Sequence, residues 1–286
     1  MVLFFHNTRY MHLIDGKKIA KKIEEEIKKT KRKGGLAAIL VGDDPASHLY
    51  VHLKEKAARK VNIKFQKIIY QTSPNLSLSK ERNLQKRIIN KIHELNKRKD
   101  ITGIIVQLPL PKNLDTNKII RAMDPKKDVD GYHPKNIAAY KNNQCLKMPP
   151  AVFTAVQEIL KAIKIKTRGK TIIFVSKKQS IFPLPFEHCF GRDAKKFIKI
   201  SLKDAIKYLP QADIIFTAVG KKHYLKGKMV KNGAVIIDIG IARVGHHVFG
   251  DADPKSLAKK RGWLTPVPGG VGPVTVACLL KNTAQN

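Results

Sequence analysis

Along the chain, short runs that are apolar at nearly every position alternate with longer stretches whose apolar residues recur every three or four positions. The first pattern predicts strands buried on both faces and the second amphipathic helices; their alternation predicts βαβ units around a parallel sheet. Strands are expected at LAAILV (36–41), IKFQKIIY (63–70), TGIIVQL (102–108), TIIFVS (171–176), DIIFTAV (213–219) and GAVIIDIG (233–240). Helices are expected at 17–33, 45–60, 79–98, 115–123, 152–163 and 203–209, and a last one near 272–284 follows a glycine-rich turn. Asp44-Pro45 opens a helix with an N-cap carboxylate and a proline at the first helical position. A polar stretch and a proline pair in NNQCLKMPPAVF (142–153) interrupt the alternation and mark a boundary between two α/β units.

Composition narrows the picture. The 286 residues, 43% of them hydrophobic, are enough for two ordinary domains. No stretch approaches the roughly 18–20 continuous apolar residues of a membrane span. The opening MVLFFHNTRYMH is too short for a signal peptide and has no small-residue cleavage site. Because the helical pattern begins only at LIDGKKIAKKIEEEIKK, Met11 is an alternative start to Met1. Cys145, Cys189 and Cys278 are far apart and odd in number, which points to a reducing cytoplasm and away from a zinc site. No HExxH or comparable metal spacing occurs, and His246-His247 reads as a solvated loop. The formal charge of +34 makes nucleic acid the obvious partner to consider. The lysines, however, lie on every predicted helix without interleaved aromatics. General lysine enrichment, or recognition of small polyanions, fits that distribution at least as well.

Several polar residues stand at predicted strand ends, where open α/β sheets bind ligands. Tyr50 and Lys54, four apart on the helix after 36–41, share a face, and Ser47 lies one turn earlier. A snorkelling lysine beside a core tyrosine would give the same spacing. Gln107 ends an apolar run in VQLPLP, so its amide needs either a backbone partner or a donor such as a lysine ammonium. Asp128 and Asp130 sit in KKDVDGYHP, a pattern compatible with a plain turn or with a site.

Taken together, LIDGKKIA, LVGDDPASHLYVHLKEKAA, GIIVQLPLP, KKDVDGYHP, GAVIIDIGI, GDAD and TPVPGGVGPVTVACLLKNT resemble the bifunctional methylenetetrahydrofolate dehydrogenase/methenyltetrahydrofolate cyclohydrolase family over nearly the whole chain. The resemblance implies a two-domain α/β fold. A folate-binding catalytic domain would span 12–147, joined by the C-terminal helix 272–286 packing back on it, and a Rossmann-like NAD(P)-binding domain would span 148–271. It implies oxidation of 5,10-methylenetetrahydrofolate with NADP and hydrolysis of the methenyl product to 10-formyltetrahydrofolate. Lys54 would be the central catalytic group, Gln107 would hold its amine, Tyr50 would flank the pterin, and Asp130 would grip the pterin ring. Ser47, Asp128 and the turn carrying Pro268, Gly269, Gly270 and Pro273 would complete the folate site. Ser176, Lys177, Lys178, Ala218, Val219, Gly220, Asp238, Gly240 and Ile241 would line the cofactor site. Polyglutamylated folates, a homodimer and a cytoplasmic location are further implications, with nucleic acid and membrane set aside.

The chain departs from the family where a G-R-S-x-x-V-G-x-P loop should cradle phosphates. Ser176 replaces the first glycine, and Phe182 or Pro183 stands at the second, within SKKQSIFPLPFEHCFGRD. Lys177 and Lys178 retain charge near the expected 2′-phosphate position. The junction motif is PPAVF in place of a PATP-like stretch. The departure leaves open a cyclohydrolase-dominant or folate-binding remnant with a decayed nucleotide site. A basic nucleic-acid-binding protein on a reused scaffold is a third alternative.

Overall fold

The computed structural model describes residues 10–31, 34–72, 78–142, 144, 148–178, 180, 182–245 and 247–286, so Cys145 and His246 fall outside it. In chain order the elements begin β1 (Met11–Leu13), α1 (Gly16–Lys28), β2 (Gly35–Val41), α2 (Pro45–Lys60), β3 (Lys64–Tyr70), α3 (Leu78–Lys97) and β4 (Gly103–Val106). Then follow α4 (Thr116–Arg121), α5 (Pro134–Lys141), α6 (Ala151–Ala162), β5 (Thr171–Ser176), α7 (Leu184–Phe190), β6 (Lys196–Ile200), α8 (Ala205–Tyr208) and β7 (Ile214–Ala218). The chain closes with β8 (Ala234–Asp238), β9 (Ala242–Val244), β10 (His247–Phe249), α9 (Pro254–Leu257), β11 (Gly262–Leu264) and α10 (Val271–Gln285).

Two compact units result. One comprises Ala20–Ala151 with Thr275–Asn286; the other comprises the residues up to Ile19 with Val152–Val274. In the first, β2 is the centre of a parallel sheet of order β3-β2-β4, with Ile39 opposite both Ile68 and Val106. All seven β2 residues are buried, as a strand covered on both faces requires. Ile88 and Ile92 of α3 and Ile119 of α4 join Ile39 and Ile104 in one core. The final helix packs back on this unit: Thr102 Oγ1 donates to the Thr283 carbonyl (2.7 Å), and Asn282 Nδ2 donates to the Val129 carbonyl (3.0 Å). The Lys281 ammonium also lies 3.1 Å from Glu26.

The second unit holds a six-stranded parallel sheet of order β1-β11-β8-β7-β5-β6. From β5 the chain steps to β6 on one side and then returns to β7 on the other. That reversal makes the C-terminal ends of β5 and β7 the topological switch point of a Rossmann-like fold. The expected two-domain α/β architecture is therefore present; the two main sheets are parallel, and β9 and β10 pair antiparallel as a separate two-stranded sheet.

The differences from expectation have local causes. TGIIVQL is a strand only over Gly103–Val106, because the chain turns at the prolines that follow, and GAVIIDIG ends at Asp238. The first helix stops at Lys28 rather than 33. The stretch 203–209 splits into a 3₁₀ turn, the short α8 and a second 3₁₀ turn containing Pro210. β6 went unforeseen because KFIKI, on the sheet edge, is only partly buried and carries two lysines. β1, β9, β10 and β11 have three residues each, too few to show a period.

Candidate functional site

In the N-terminal unit, the cap of α2 fixes the start of the candidate site. The Asp44 carboxylate accepts from both the Ser47 amide (2.8 Å) and the Ser47 hydroxyl (2.7 Å), so buried Ser47 serves the helix opening. Two turns further, Lys54 is turned inward, its side chain 13% exposed. Its ammonium donates to Gln107 Oε1 at 3.1 Å, and Gln107 Nε2 in turn donates to the Leu108 carbonyl at 2.8 Å. The glutamine thus satisfies both open possibilities at once, one atom on backbone and one on the lysine. Asp130 Oδ2 stands 4.0 Å from the same ammonium. The half-buried Tyr50 shares the Lys54 face of α2.

The two aspartates of the DVDG loop have separate surroundings. Asp128 is buried; one oxygen accepts from the Gly131 amide (3.0 Å), and the other from the His133 amide (2.6 Å) and Asn136 Nδ2 (3.1 Å). Burial pushes its carboxyl above the usual range, against the pull of those donors. Asp128 therefore ties the loop together, and Asp130 is left with the oxygen that faces Lys54. Lys54, Gln107 and Asp130 form one cluster, and Asp128 stands behind it.

The remaining folate-site candidates lie in the other unit. Pro268, Gly269 and Gly270 form the turn before α10, and Pro273 is in that helix's first turn. Gly16, at the start of α1, passes so close to the Gly269 and Gly270 carbonyls that a Cβ there would overlap them.

The C-terminal unit carries a cavity of about 590 Å³ at the switch point, lined by Lys177, Ser180, Phe182, Ala218, Val219, Gly220, Ile239, Gly240 and Ile241. Among the expected cofactor residues, Ser176 is buried with its hydroxyl on the Lys177 carbonyl (3.3 Å), and Lys178 is exposed without lining the cavity. Asp238 is also buried away from it, accepting from the Gly240 amide (3.0 Å) and the Ala252 amide (2.7 Å). Burial raises its carboxyl to about 7.

Sequence reasoning missed Asp251. Fully buried, it accepts from Thr217 Oγ1 (2.7 Å), the Val219 amide (2.8 Å) and the Lys221 amide (2.8 Å), and so braces the loop that lines the cavity. Its signal was the GDAD motif, in which an acidic residue follows a glycine just after the strand pair β9–β10.

Residues 14–130 match the tetrahydrofolate dehydrogenase/cyclohydrolase catalytic domain, and residues 150–286 match the NAD(P)-binding domain of the same family. The chain is 40% identical over 284 residues to the bifunctional protein FolD of Nitratiruptor sp., across 96% of this chain and 97% of that protein. The crystal structure of FolD from Campylobacter jejuni superposes with a TM-score of 0.85 at 34% identity, covering 96% of this chain and 98% of that one. FolD of Trypanosoma brucei, crystallised with NADP and an inhibitor, gives 0.85 at 28% identity over 96% and 97% of the two chains. With both halves matched in order and nearly full length, this chain belongs to the tetrahydrofolate dehydrogenase/cyclohydrolase family.

Proposed function

We propose that this chain oxidises 5,10-methylenetetrahydrofolate to 5,10-methenyltetrahydrofolate with NADP and hydrolyses the product to 10-formyltetrahydrofolate. The observation that carries this reading is the inward ammonium of Lys54, held by Gln107 with Asp130 beside it. Hydrolysis needs a base near a cationic carbon, and a neutral amide partner orients an amine without adding a countercharge. As the free amine, Lys54 takes a proton from the water that attacks the methenyl carbon; the bond from that carbon to N5 then breaks, N5 takes the remaining hydroxyl proton, and the formyl group stays on N10. Asp130 accepts from the amidine-like edge of the pterin in a charge-assisted contact. Tyr50 flanks the ring from the same helical face.

NADP, when bound, accepts the hydride lost by the one-carbon bridge. The switch-point cavity fits its nicotinamide end: Val219, Gly220, Gly240 and Ile241 line it with backbone and small side chains. A folate-binding domain of 12–147 with 272–286, and a nucleotide domain of 148–271, are the functional divisions we assign. An assay following hydride transfer and ring opening separately tests the reading. Both rates should be measurable with NADP, and absence of both would overturn it.

The natural substrates are, in this proposal, polyglutamylated. A chain with a formal charge of +34 attracts an anionic tail. Affinity should rise with tail length at low salt, and the gain should shrink as ionic strength shortens the Debye length to about 3 Å at 1 M. Equal affinity for mono- and polyglutamates at low salt would make the lysine excess compositional. A homodimer is proposed on family likeness. A cytoplasmic location is proposed as well, in keeping with three cysteines that are far apart in sequence and odd in number. No described helix is long and apolar enough to cross a membrane.

A further inference from the structure

Two carboxylates are buried behind the Gly220 and Gly240 wall of the cavity, all within the C-terminal unit. Asp238 ends β8, and Asp251 follows β10. Their segments meet at glycines: a Cβ on Gly240 would overlap the Asp251 carboxylate, and a Cβ on Gly250 would overlap that of Asp238. Each carboxylate also accepts from an amide of the wall itself, Asp238 from Gly240 (3.0 Å) and Asp251 from Val219 (2.8 Å). The pair therefore stands directly behind the surface that a ligand in the cavity touches.

The surroundings of the pair are neutral. Its hydrogen-bond partners are backbone amides and the Thr217 hydroxyl of β7, and among the described residues neither carboxylate forms an ion pair. The end of β11 offers only Thr265, whose Oγ1 accepts from the Asp238 amide at 2.7 Å. The segment after β7 brings Tyr224; Thr217 gives its own proton to Asp251, so the Tyr224 hydroxyl donates to Thr217 (2.6 Å). Lys221 and Lys222 of that segment are exposed, with the Lys222 ammonium 3.6 Å above the Phe249 ring and His223 packed edge-on against the same ring. Two buried like charges with only neutral donors oppose each other's ionisation. Burial first, and then the charge of Asp251, raise the Asp238 carboxyl to about 7 against the pull of the Ala252 amide.

We infer that Asp238 is a specificity-determining residue for the oxidation state of the cofactor: its buried charge, behind the wall that faces the nicotinamide, favours the cationic ring of NADP⁺ over the neutral ring of NADPH. The inference rests on the NADP-dependent reading above. A cation lodged near a titrating carboxyl favours the carboxylate, so NADP⁺ binding near neutrality releases a proton that NADPH binding does not. Low pH protonates Asp238 and removes the preference. Raising the pH ionises it and tightens NADP⁺ alone. The 2′-phosphate, a phosphomonoester, titrates at about pH 6, but it is common to both forms and cancels in their ratio.

Calorimetric titration of NADP⁺ and of NADPH into the full-length protein tests it, in two buffers of different ionisation enthalpy. Two unit charges about 12 Å apart at an effective dielectric of about 20 change an equilibrium about tenfold. Of that, about fivefold falls between about pH 6 and 8.5, as a rise in the ratio of the NADPH Kd to the NADP⁺ Kd that levels off above about pH 8. NADP⁺ should release more protons than NADPH at neutral pH. Asp238→Asn should flatten the ratio and abolish the difference in proton release, whereas His223→Gln should keep both. Circular dichroism checks the fold, and if Asp238→Asn does not fold, proton release by the wild type and by His223→Gln decides. A ratio independent of pH with equal proton release would overturn the inference and leave the NADP reading standing. So would a pH dependence retained in Asp238→Asn or lost in His223→Gln. Binding of neither cofactor by the folded wild type would overturn both.

Discussion

Replacement of Lys54 by methionine is expected to slow methenyltetrahydrofolate hydrolysis by about 100-fold or more, the lower end of a general acid–base contribution. Methionine keeps most of the stem's volume, so α2 should pack as before. What disappears is the Nζ contact to Gln107 Oε1 and the charge 4.0 Å from Asp130. Gln107 keeps its bond to the Leu108 carbonyl. The structural cost should therefore be about that of one lost hydrogen bond, roughly 1 kcal/mol. An effect on rate far larger than the effect on the melting temperature separates chemistry from stability. Lys56, exposed on another face of α2, is the control and should tolerate the same change. Near-normal ring opening in Lys54→Met would remove the lysine from the mechanism.

Much of this arrangement was legible in the sequence because it depends on local periodicity. Tyr50 and Lys54 share a face for the same reason that any residues four apart on a helix do. The fully buried β2 and β8, and β5 and β7, buried but for one end residue each, announced themselves as apolar runs, since a parallel sheet covered on both faces tolerates little else. What stayed hidden depends on partners distant in sequence. β1 is a strand because Met11, His12 and Leu13 pair with Gly262, Trp263 and Leu264, some 250 residues away, and no pattern in three residues can say so. α5 was missed although Pro134 opens it, because eight residues make little more than two turns, too few to establish a helical period. Asp128 and Asp130, two apart and chemically identical, could be separated only by burial: three donors surround one, and the other faces an ammonium. Asp238 was read with the cofactor-lining residues. Its carboxylate instead meets two backbone amides, an environment its strand-end position did not disclose.

Gly240→Ala is expected to lower the melting temperature of the C-terminal unit by about 10 °C and to weaken NADP binding far more than it slows cyclohydrolysis. A Cβ at residue 240 would fall inside the contact radius of the Asp251 carboxylate, a group with no solvent exposure to retreat into. Moving that carboxylate would break its bonds to Thr217 Oγ1, the Val219 amide and the Lys221 amide. Hydrogen bonds to a charged group contribute about 1.5–3 kcal/mol each, so losing even two costs roughly 3–6 kcal/mol. For a unit of this size about 1 kcal/mol corresponds to a few degrees in melting temperature, which gives the figure of about 10 °C. The same three bonds shape the Val219–Gly220 edge of the cavity, so the nucleotide should feel the change directly. Lys54, Gln107 and Asp130 belong to the other compact unit, and their cluster should persist wherever the protein remains folded. Differential scanning calorimetry, NADP titration and the ring-opening assay on one preparation make the comparison. A wild-type melting profile with unchanged NADP affinity would mean that the Asp251 brace yields easily and does not hold the cavity wall.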